Sequence, residues 1–394
     1  MRQTARPLVT WDAPAADRTD SWHSILIACV RAIAAIEVTA AHLRALFYPG
    51  MRTITDPTLW YQGFAFFTGF AHQAVLLFFV ISGWLVGGSL LDKWRQRDAL
   101  AQYAVDRVSR LWTVLIPVMM LTLALGLATD RLDGGSVDYS TSNEFSALSF
   151  VGNLLGLQLI AVPTFGGNFP LWSLSNETWY YLLFPLLLVM LRTEKLGVRT
   201  GCALLATLLV ATLPTLLILY FAIWLLGAAC SRLQLNCGRG ARIAIIAVAL
   251  GTSVYCRLTG KNDDLSAASF LPDFILSILF LAVLCSLQHT AAPTGRWTLR
   301  LAAAGRYLAE FSFTLYVIHV PLINLFQFSA SKYLGLTTLS PANPVHLGLY
   351  LLMLCMIVFC AWLSYLMFES HTGAVRKWVK RKLLRPRPTV ALPA

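Results

Sequence analysis

Apolar residues fill long unbroken stretches of this chain, and polar residues are confined to short segments between them. Runs able to cross about 30 Å of hydrocarbon, roughly 20 residues each, occur near 24–47, 73–91, 111–129, 171–191, 242–258, 270–288, 308–328 and 345–368. A further run, 202–230, is 29 residues long and contains Pro214. Proline removes a ladder hydrogen bond and clashes with the preceding turn. The run therefore reads as two short helices hinged at Pro214, with one tilted, kinked helix as the alternative. The pattern predicts an all-α polytopic membrane protein, a bundle of about ten transmembrane helices with nine as the fallback. Between the third and fourth runs, the acidic Gly/Ser-rich piece DRLDGGSVDYSTSNEF precedes FVGNLLGLQLI, whose 11 residues are too few to span. An interfacial or re-entrant helix is expected there.

Composition sharpens this picture. Only 13% of the 394 residues are charged and 57% are hydrophobic, against about 25% charged in soluble domains. A water-facing surface cannot be coated with so little charge. The net charge of +12 invites a nucleic-acid reading, but the basic residues form no single face. They sit in alternate loops, 24 on one side and 4 on the other when the N-terminus is placed inside. That asymmetry is the positive-inside rule, so both termini are expected in the cytoplasm, with membrane lipids and no nucleic acid as partners. The expected organisation is a cytoplasmic tail (1–23), a transmembrane domain (24–368) and a basic cytoplasmic tail (369–394). The first 22 residues are polar and mixed in charge, which argues against a cleavable signal peptide. The eight cysteines lie mostly in apolar runs without metal-ligand or redox spacing, and read as small hydrophobes.

Ionisable groups inside spans are costly and commonly face a cavity or a partner. Arg31, Glu37, His42 and Arg44 fall in the first run, Glu177 in the fourth, and Glu310 and His319 in the run at 308–328. Arg31 and His42 are 11 residues apart, almost three helical turns, so they share one face with about 16 Å between them along the axis. Arg31 lies toward the inner end, while His42, Glu177 and His319 lie at similar depth farther out. Glu37 points more than about 100° away from that stripe and is expected to hold a structural partner such as Arg44. Buried ion pairs and hydrogen bonds that fix helix packing are the plain alternative for each of these groups. As a set, they suit either acid–base chemistry or a proton-coupled transporter or exporter, although no internal inverted repeat is visible. A non-catalytic assembly subunit is a third reading.

Five segments narrow the choice. RAIAAIEVTAAH carries Arg and His with ten residues between them, and it resembles the first-helix motif of the acyltransferase-3 family of integral membrane acyltransferases. FFVISGWLVGGSLL, RVSR (Arg107, Arg110), FVGNLLGLQ with LWSLSNETWYYLLFPLLL, and FSFTLYVIHVPLI are similar to that family's other motifs, in family order. The family often ends its last span with Glu-x-Pro. Here Glu369 is followed by Ser370 and His371, which puts a structural role for Glu369 in doubt. The resemblance implies O-acylation, commonly acetylation, of a polysaccharide or lipid-linked saccharide at a bacterial inner membrane. Acetyl-CoA or another acyl-CoA would be co-substrate, no cofactor would be bound permanently, and a separate extracytoplasmic or glycan-synthesis partner is possible.

Under that resemblance, Arg107 and Arg110 are expected to bind coenzyme A phosphates through forked hydrogen bonds, and Arg31 above them to bind another part of the coenzyme A head or the entry of its arm. His42 becomes the general base or a transient acyl carrier, and Glu177 the acid that orients its ring. His319, Ser173 and Tyr316 are expected to bind the acceptor or stabilise an oxyanion. Interhelical hydrogen bonding is their alternative. Trp172 is expected to stack on a sugar, and Trp179 to anchor at the interface.

Overall fold

The computed structural model describes residues 8–11, 21–132, 140, 143–260, 265–288 and 294–384. Arg2, Arg6, Arg18, Lys261, Arg385 and Arg387, which entered the charge count, lie outside them, as does most of the acidic loop piece.

The chain opens with a short strand β1 (Val9–Trp11) and then α1 (Trp22–Phe47), which is capped by the Ser21 hydroxyl accepting from the Ser24 amide. A second rod follows, built of α2 (Leu59–Phe67), α3 (Ala71–Ser82), a π turn (Gly83–Gly87) and α4 (Gly88–Lys93). Next come α5 (Ala99–Ala128), the short α6 (Ala147–Leu154), α7 (Leu171–Arg192), α8 (Leu196–Thr212) and α9 (Thr215–Cys230). Strand β2 (Leu233–Leu235) pairs antiparallel with β1. The remaining helices are α10 (Arg239–Thr259), α11 (Phe270–Leu287), α12 (Arg296–Glu310), α13 (Ser312–Leu334), α14 (Pro344–Met367) and α15 (Thr372–Leu383).

Among the described residues, eight helical segments are long and apolar enough to cross a membrane, and α8 and α9 are two shorter apolar helices. This is an all-α polytopic membrane protein. Pro214 caps α9 in a non-helical conformation, so the run at 202–230 is two helices. Helices α8 and α10 bury no residue and form the periphery, whereas α1 and α13 are buried along much of their length and pack on each other. Expected boundaries shift in three places. Helix α5 begins at Ala99, so Arg107 and Arg110 project from a helix, not from a loop before it. Glu310 ends α12, an amphipathic helix packed on α1, and does not belong to the span carrying His319. The basic tail forms α15, whose Arg376 and Lys380 pair with Asp106 of α5 at 3.8 and 2.7 Å.

Lipid tails drive helices together no more than they drive them apart, so close backbone approach and interhelical hydrogen bonds decide the packing. Gly83 and Gly227 provide the closest approach. A Cβ on Gly83 would lie 2.0 Å from the Trp224 carbonyl oxygen, and one on Gly227 would lie 2.3 Å from that of Val80. Beside them the Trp224 indole donates to the Ser82 hydroxyl at 3.1 Å.

Irregular backbone between α6 and α7 is held in the same way. Asn153 donates to the carbonyls of Ser149 and Pro163, each at 2.8 Å, and accepts from the Phe165 amide at 3.1 Å. Gln158 donates to the Leu171 carbonyl at 2.8 Å. The expected re-entrant segment is therefore a single short helix followed by a loop in which the side-chain amides of Asn153 and Gln158 bond backbone groups within the protein. Asn168 then reaches α13, donating to the Val317 carbonyl at 2.9 Å. Pro321 stands four residues beyond Val317 and has no N–H to give that carbonyl. The asparagine supplies the missing donor.

Substituting Gly227 by Ala should force α3 and α9 apart, an overpacking cost of about 1–3 kcal/mol. Thermal unfolding of the detergent-solubilised protein is expected to show a lowered midpoint, and an unchanged midpoint would mean that the two backbones do not touch there.

Candidate active site

His42 of α1 and His319 of α13 meet in the bundle, with Nδ1 of His42 2.8 Å from Nε2 of His319. The rings are nearly parallel, with centroids 5.1 Å apart. His319 is fully buried, and its Nδ1 lies 3.3 Å from the Leu315 carbonyl oxygen. A carbonyl can only accept, so Nδ1 of His319 carries the hydrogen. In the uncharged ring, Nε2 is then the acceptor, and His42 must donate from Nδ1. The lone pair of His42 is left on Nε2, the tautomer a general base needs. The Phe169 and His42 rings pack edge to face at a centroid distance of 4.8 Å.

His42 lines an upper chamber of about 660 Å³ together with Trp172, Asn176, His72, Tyr220 and Tyr316. Toward the arginine-rich end of the bundle lies a lower chamber of about 300 Å³, lined by Arg31, Arg107, Arg110, Glu177, Ser173 and Tyr316 among others. Below it, a mouth of about 370 Å³ shares Arg31, Arg107 and Arg110 and adds Asp106, Glu310 and Arg376. Tyr316 and Val75 line both chambers and so form the partition between them. The Tyr316 hydroxyl is 2.7 Å from that of Ser173, and it donates to the Pro170 carbonyl at 3.2 Å.

The three arginines of the lower chamber are held differently. Arg31 donates to the Ser312 hydroxyl at 3.2 Å and to the Ala309 carbonyl at 3.4 Å, bracing the joint between α12 and α13. Arg110 pairs with Glu369 at 2.7 Å. Arg107 lies over the Tyr103 and Tyr181 rings at 5.9 and 5.8 Å, and its buried Nε has no hydrogen-bond partner among the described residues. It is the guanidinium with most capacity left for an anion.

Two assignments change with these contacts. Glu177, expected behind His42, lines the lower chamber and accepts from the Tyr181 hydroxyl at 3.0 Å. The ring bonded to His42 is His319, expected instead to touch the acceptor. Helix phase gives the face a residue occupies but not which neighbouring helix that face meets, so residues at equal depth were interchangeable. Glu369 is structural after all. It is 3% exposed and accepts from the Thr314 amide and hydroxyl at 3.2 and 2.5 Å while pairing with Arg110. Glu37 is structural as expected, but through the Phe70 amide at 2.7 Å, and Arg44 turns to the Thr68 hydroxyl at 2.8 Å. Trp179 donates to the Gly156 carbonyl at 3.0 Å, which ties it to the re-entrant loop.

Sequence reasoning passed over His72 and Asp273, which bond to each other at 2.8 Å beside the upper chamber. The signal was available, since Asp273 is a carboxylate within an apolar run.

Residues 26–379 match a family described as "Acyltransferase domain", the acyltransferase-3 family. An uncharacterised protein of Haemophilus influenzae is 31% identical over 124 residues, which cover 29% of this chain and 48% of that protein. The chain thus matches about half the length of this relative. No solved structure matches.

Removing Arg110 would leave the Glu369 carboxylate buried without its cation. Because the Arg110 side chain is 35% exposed, Arg110→Ala is expected to cost about 1–3 kcal/mol, less than for a fully enclosed pair. Arg107→Ala should leave the unfolding midpoint within experimental scatter. Equal midpoints for the two variants would contradict this division of labour.

Proposed function

Taking as premise that the chain belongs to the acyltransferase-3 family and is a membrane acyltransferase, we propose that it moves an acyl group, acetyl by default, from cytoplasmic acyl-CoA to a hydroxyl of an extracytoplasmic or lipid-linked glycan. The observation that carries this reading is the paired chambers. One is lined by arginines, the other by an oriented imidazole, and they share a thin wall at Tyr316. The basic mouth and lower chamber suit an anionic nucleotide with a slender thioester arm. The upper chamber suits a hydroxyl-bearing ring.

In this mechanism Arg107 grips the phosphates by charge-assisted hydrogen bonds, with Arg110 and Arg31 adding field from fixed positions. The pantetheine arm rises past Glu177 and brings the thioester carbonyl to the partition. Nε2 of His42 removes the proton from the acceptor hydroxyl as its oxygen attacks that carbonyl. His319, bonded to Nδ1 of His42, holds the ring in position and helps disperse the charge of the imidazolium. The hydroxyls of Tyr316 and Ser173, turned from the Pro170 carbonyl that they bond at rest, would donate to the tetrahedral oxyanion. Collapse expels the thiolate, which takes the proton from His42, so the products are the glycan ester and free coenzyme A. Trp172 gives the sugar an apolar face to stack on. Coenzyme A need not cross the membrane, because only its arm passes the mid-plane. Basic residues clustered at one end of the bundle support a bacterial cytoplasmic-membrane setting with the lower mouth inside. A separate partner would present or receive the glycan.

Family membership supports an enzyme over a proton-coupled carrier. His42→Ala is expected to lower glycan acylation at least about 100-fold, in the range ordinary for a lost general base, with acetyl-CoA affinity kept. Mass spectrometry of surface glycans and calorimetric titration with acetyl-CoA read the two quantities. Near wild-type acylation would remove His42 from the chemistry. His319→Gln, which keeps an acceptor for His42, should retain more activity than His319→Ala. Arg107→Ala is expected to weaken acetyl-CoA binding about tenfold, the loss of one charge-assisted contact, and unchanged affinity would move the phosphate site elsewhere.

A further inference from the structure

The upper chamber contains a second imidazole that the chemistry above leaves unused. His72, in the first turn of α3, donates from Nε2 to Oδ1 of Asp273 on α11 at 2.8 Å. Oδ2 of Asp273 accepts from the Tyr220 hydroxyl of α9 at 2.6 Å. That hydroxyl also lies 3.2 Å from Oγ of Ser269. Asp273 is 6% exposed. A carboxylate inside an apolar helix is expensive and commonly marks a site. Joining three helices does not require one, since a neutral hydrogen-bonded pair would serve. What the carboxylate adds is control of the imidazole: it fixes which ring nitrogen carries hydrogen, and it sets the plane of the ring.

The surroundings indicate what this imidazole meets. His72 and Tyr220 line the same chamber as His42, and Trp172 and Phe169 supply flat apolar walls there. Among the described residues lining the chamber there is no lysine or arginine. A phosphate or uronate brought into it would lie near the Asp273 carboxylate, with no guanidinium or ammonium among the described lining residues to balance it. A neutral pyranose has one C–H face suited to an aromatic wall and an edge of hydroxyls suited to an imidazole and a phenol.

We propose that His72, positioned by Asp273 and Tyr220, binds a hydroxyl of an uncharged acceptor sugar next to the one that is acylated, and thereby selects which hydroxyl reaches His42. The inference rests on the acyltransferase reading. His72 touches the acceptor. Asp273 acts through His72 and is a positioning residue.

The test uses the full chain in a host lacking its own copy of the gene, with His72→Gln and Asp273→Asn beside the wild type. Glutamine keeps a donor for Asp273 and so preserves the interhelical bond. Two quantities are read: acetyl-CoA affinity of the purified protein by calorimetry, and the amount and position of acyl groups on surface glycan by mass spectrometry with fragmentation. Both variants are expected to bind acetyl-CoA within twofold of wild type, while glycan acylation falls at least tenfold or spreads over other hydroxyls. The wild-type ester should sit on an uncharged sugar. Acylation by His72→Gln within twofold of wild type at the same position overturns the proposal, as does loss of acetyl-CoA binding in both variants, which would make the pair a packing contact. A wild-type ester on a uronate or phosphorylated sugar overturns it as well. A wild type that binds acetyl-CoA but acylates no glycan removes the glycan-acylation reading and this inference with it.

Discussion

Hydrocarbon offers no water to a bare carbonyl or an unpaired amide, and this constraint shapes every functional part of the protein. A cavity inside a bundle needs bends, breaks and loops in its walls, and each of these frees backbone groups that must find partners within the protein. The loop after α6 meets the demand with Asn153 and Gln158, and the break at Pro321 meets it with Asn168. The same constraint acts on charge. Arg110 is held by Glu369, Asp273 by His72 and Tyr220, and Glu37 by the amide at the start of α3. Polar residues here are therefore of two kinds, those that repair the walls and those that face the space the walls enclose.

The division explains how much of the molecule was legible in its sequence. Spans follow from length and hydropathy, which are local properties, and the break at Pro214 follows from the chemistry of one residue. The Arg31–His42 stripe follows from helical repeat alone, and the structure puts these two residues in the lower and upper chambers. Pairings between helices are another matter. Glu177, His72 and His319 are each ionisable groups in apolar runs, and nothing in their spacing says which will meet His42. That depends on how α3, α7 and α13 are rotated about their own axes, and for the rod carrying α3 the close backbone approach of Gly83 and Gly227 to their neighbours is one contact that limits the rotation. Glu369 was obscured for a related reason, because its partner Arg110 lies 259 positions earlier and the local motif after it departs from the family pattern.

The site also shows how one helix serves two compartments. Helix α1 presents a guanidinium to the lower chamber and an imidazole to the upper one, and α13 backs both, through Ser312 below and His319 above. Tyr316 sits between these two contacts on α13 and supplies the partition. Separating the chambers by the Tyr316 and Val75 side chains keeps two very different environments, one cationic and one largely apolar, within reach of a thioester arm.

The π turn at Gly83–Gly87 has a geometric result for the second rod. A turn closed by five residues holds about one more than the α-helix accommodates, which offsets everything after it by roughly 100°. His72 above the turn and Asp92 beyond it therefore obey different angular registers, although no loop intervenes. One continuous rod can then aim an imidazole into the bundle at one end and a carboxylate toward Arg232 at the other, two directions that an uninterrupted spiral of the same length would not supply together.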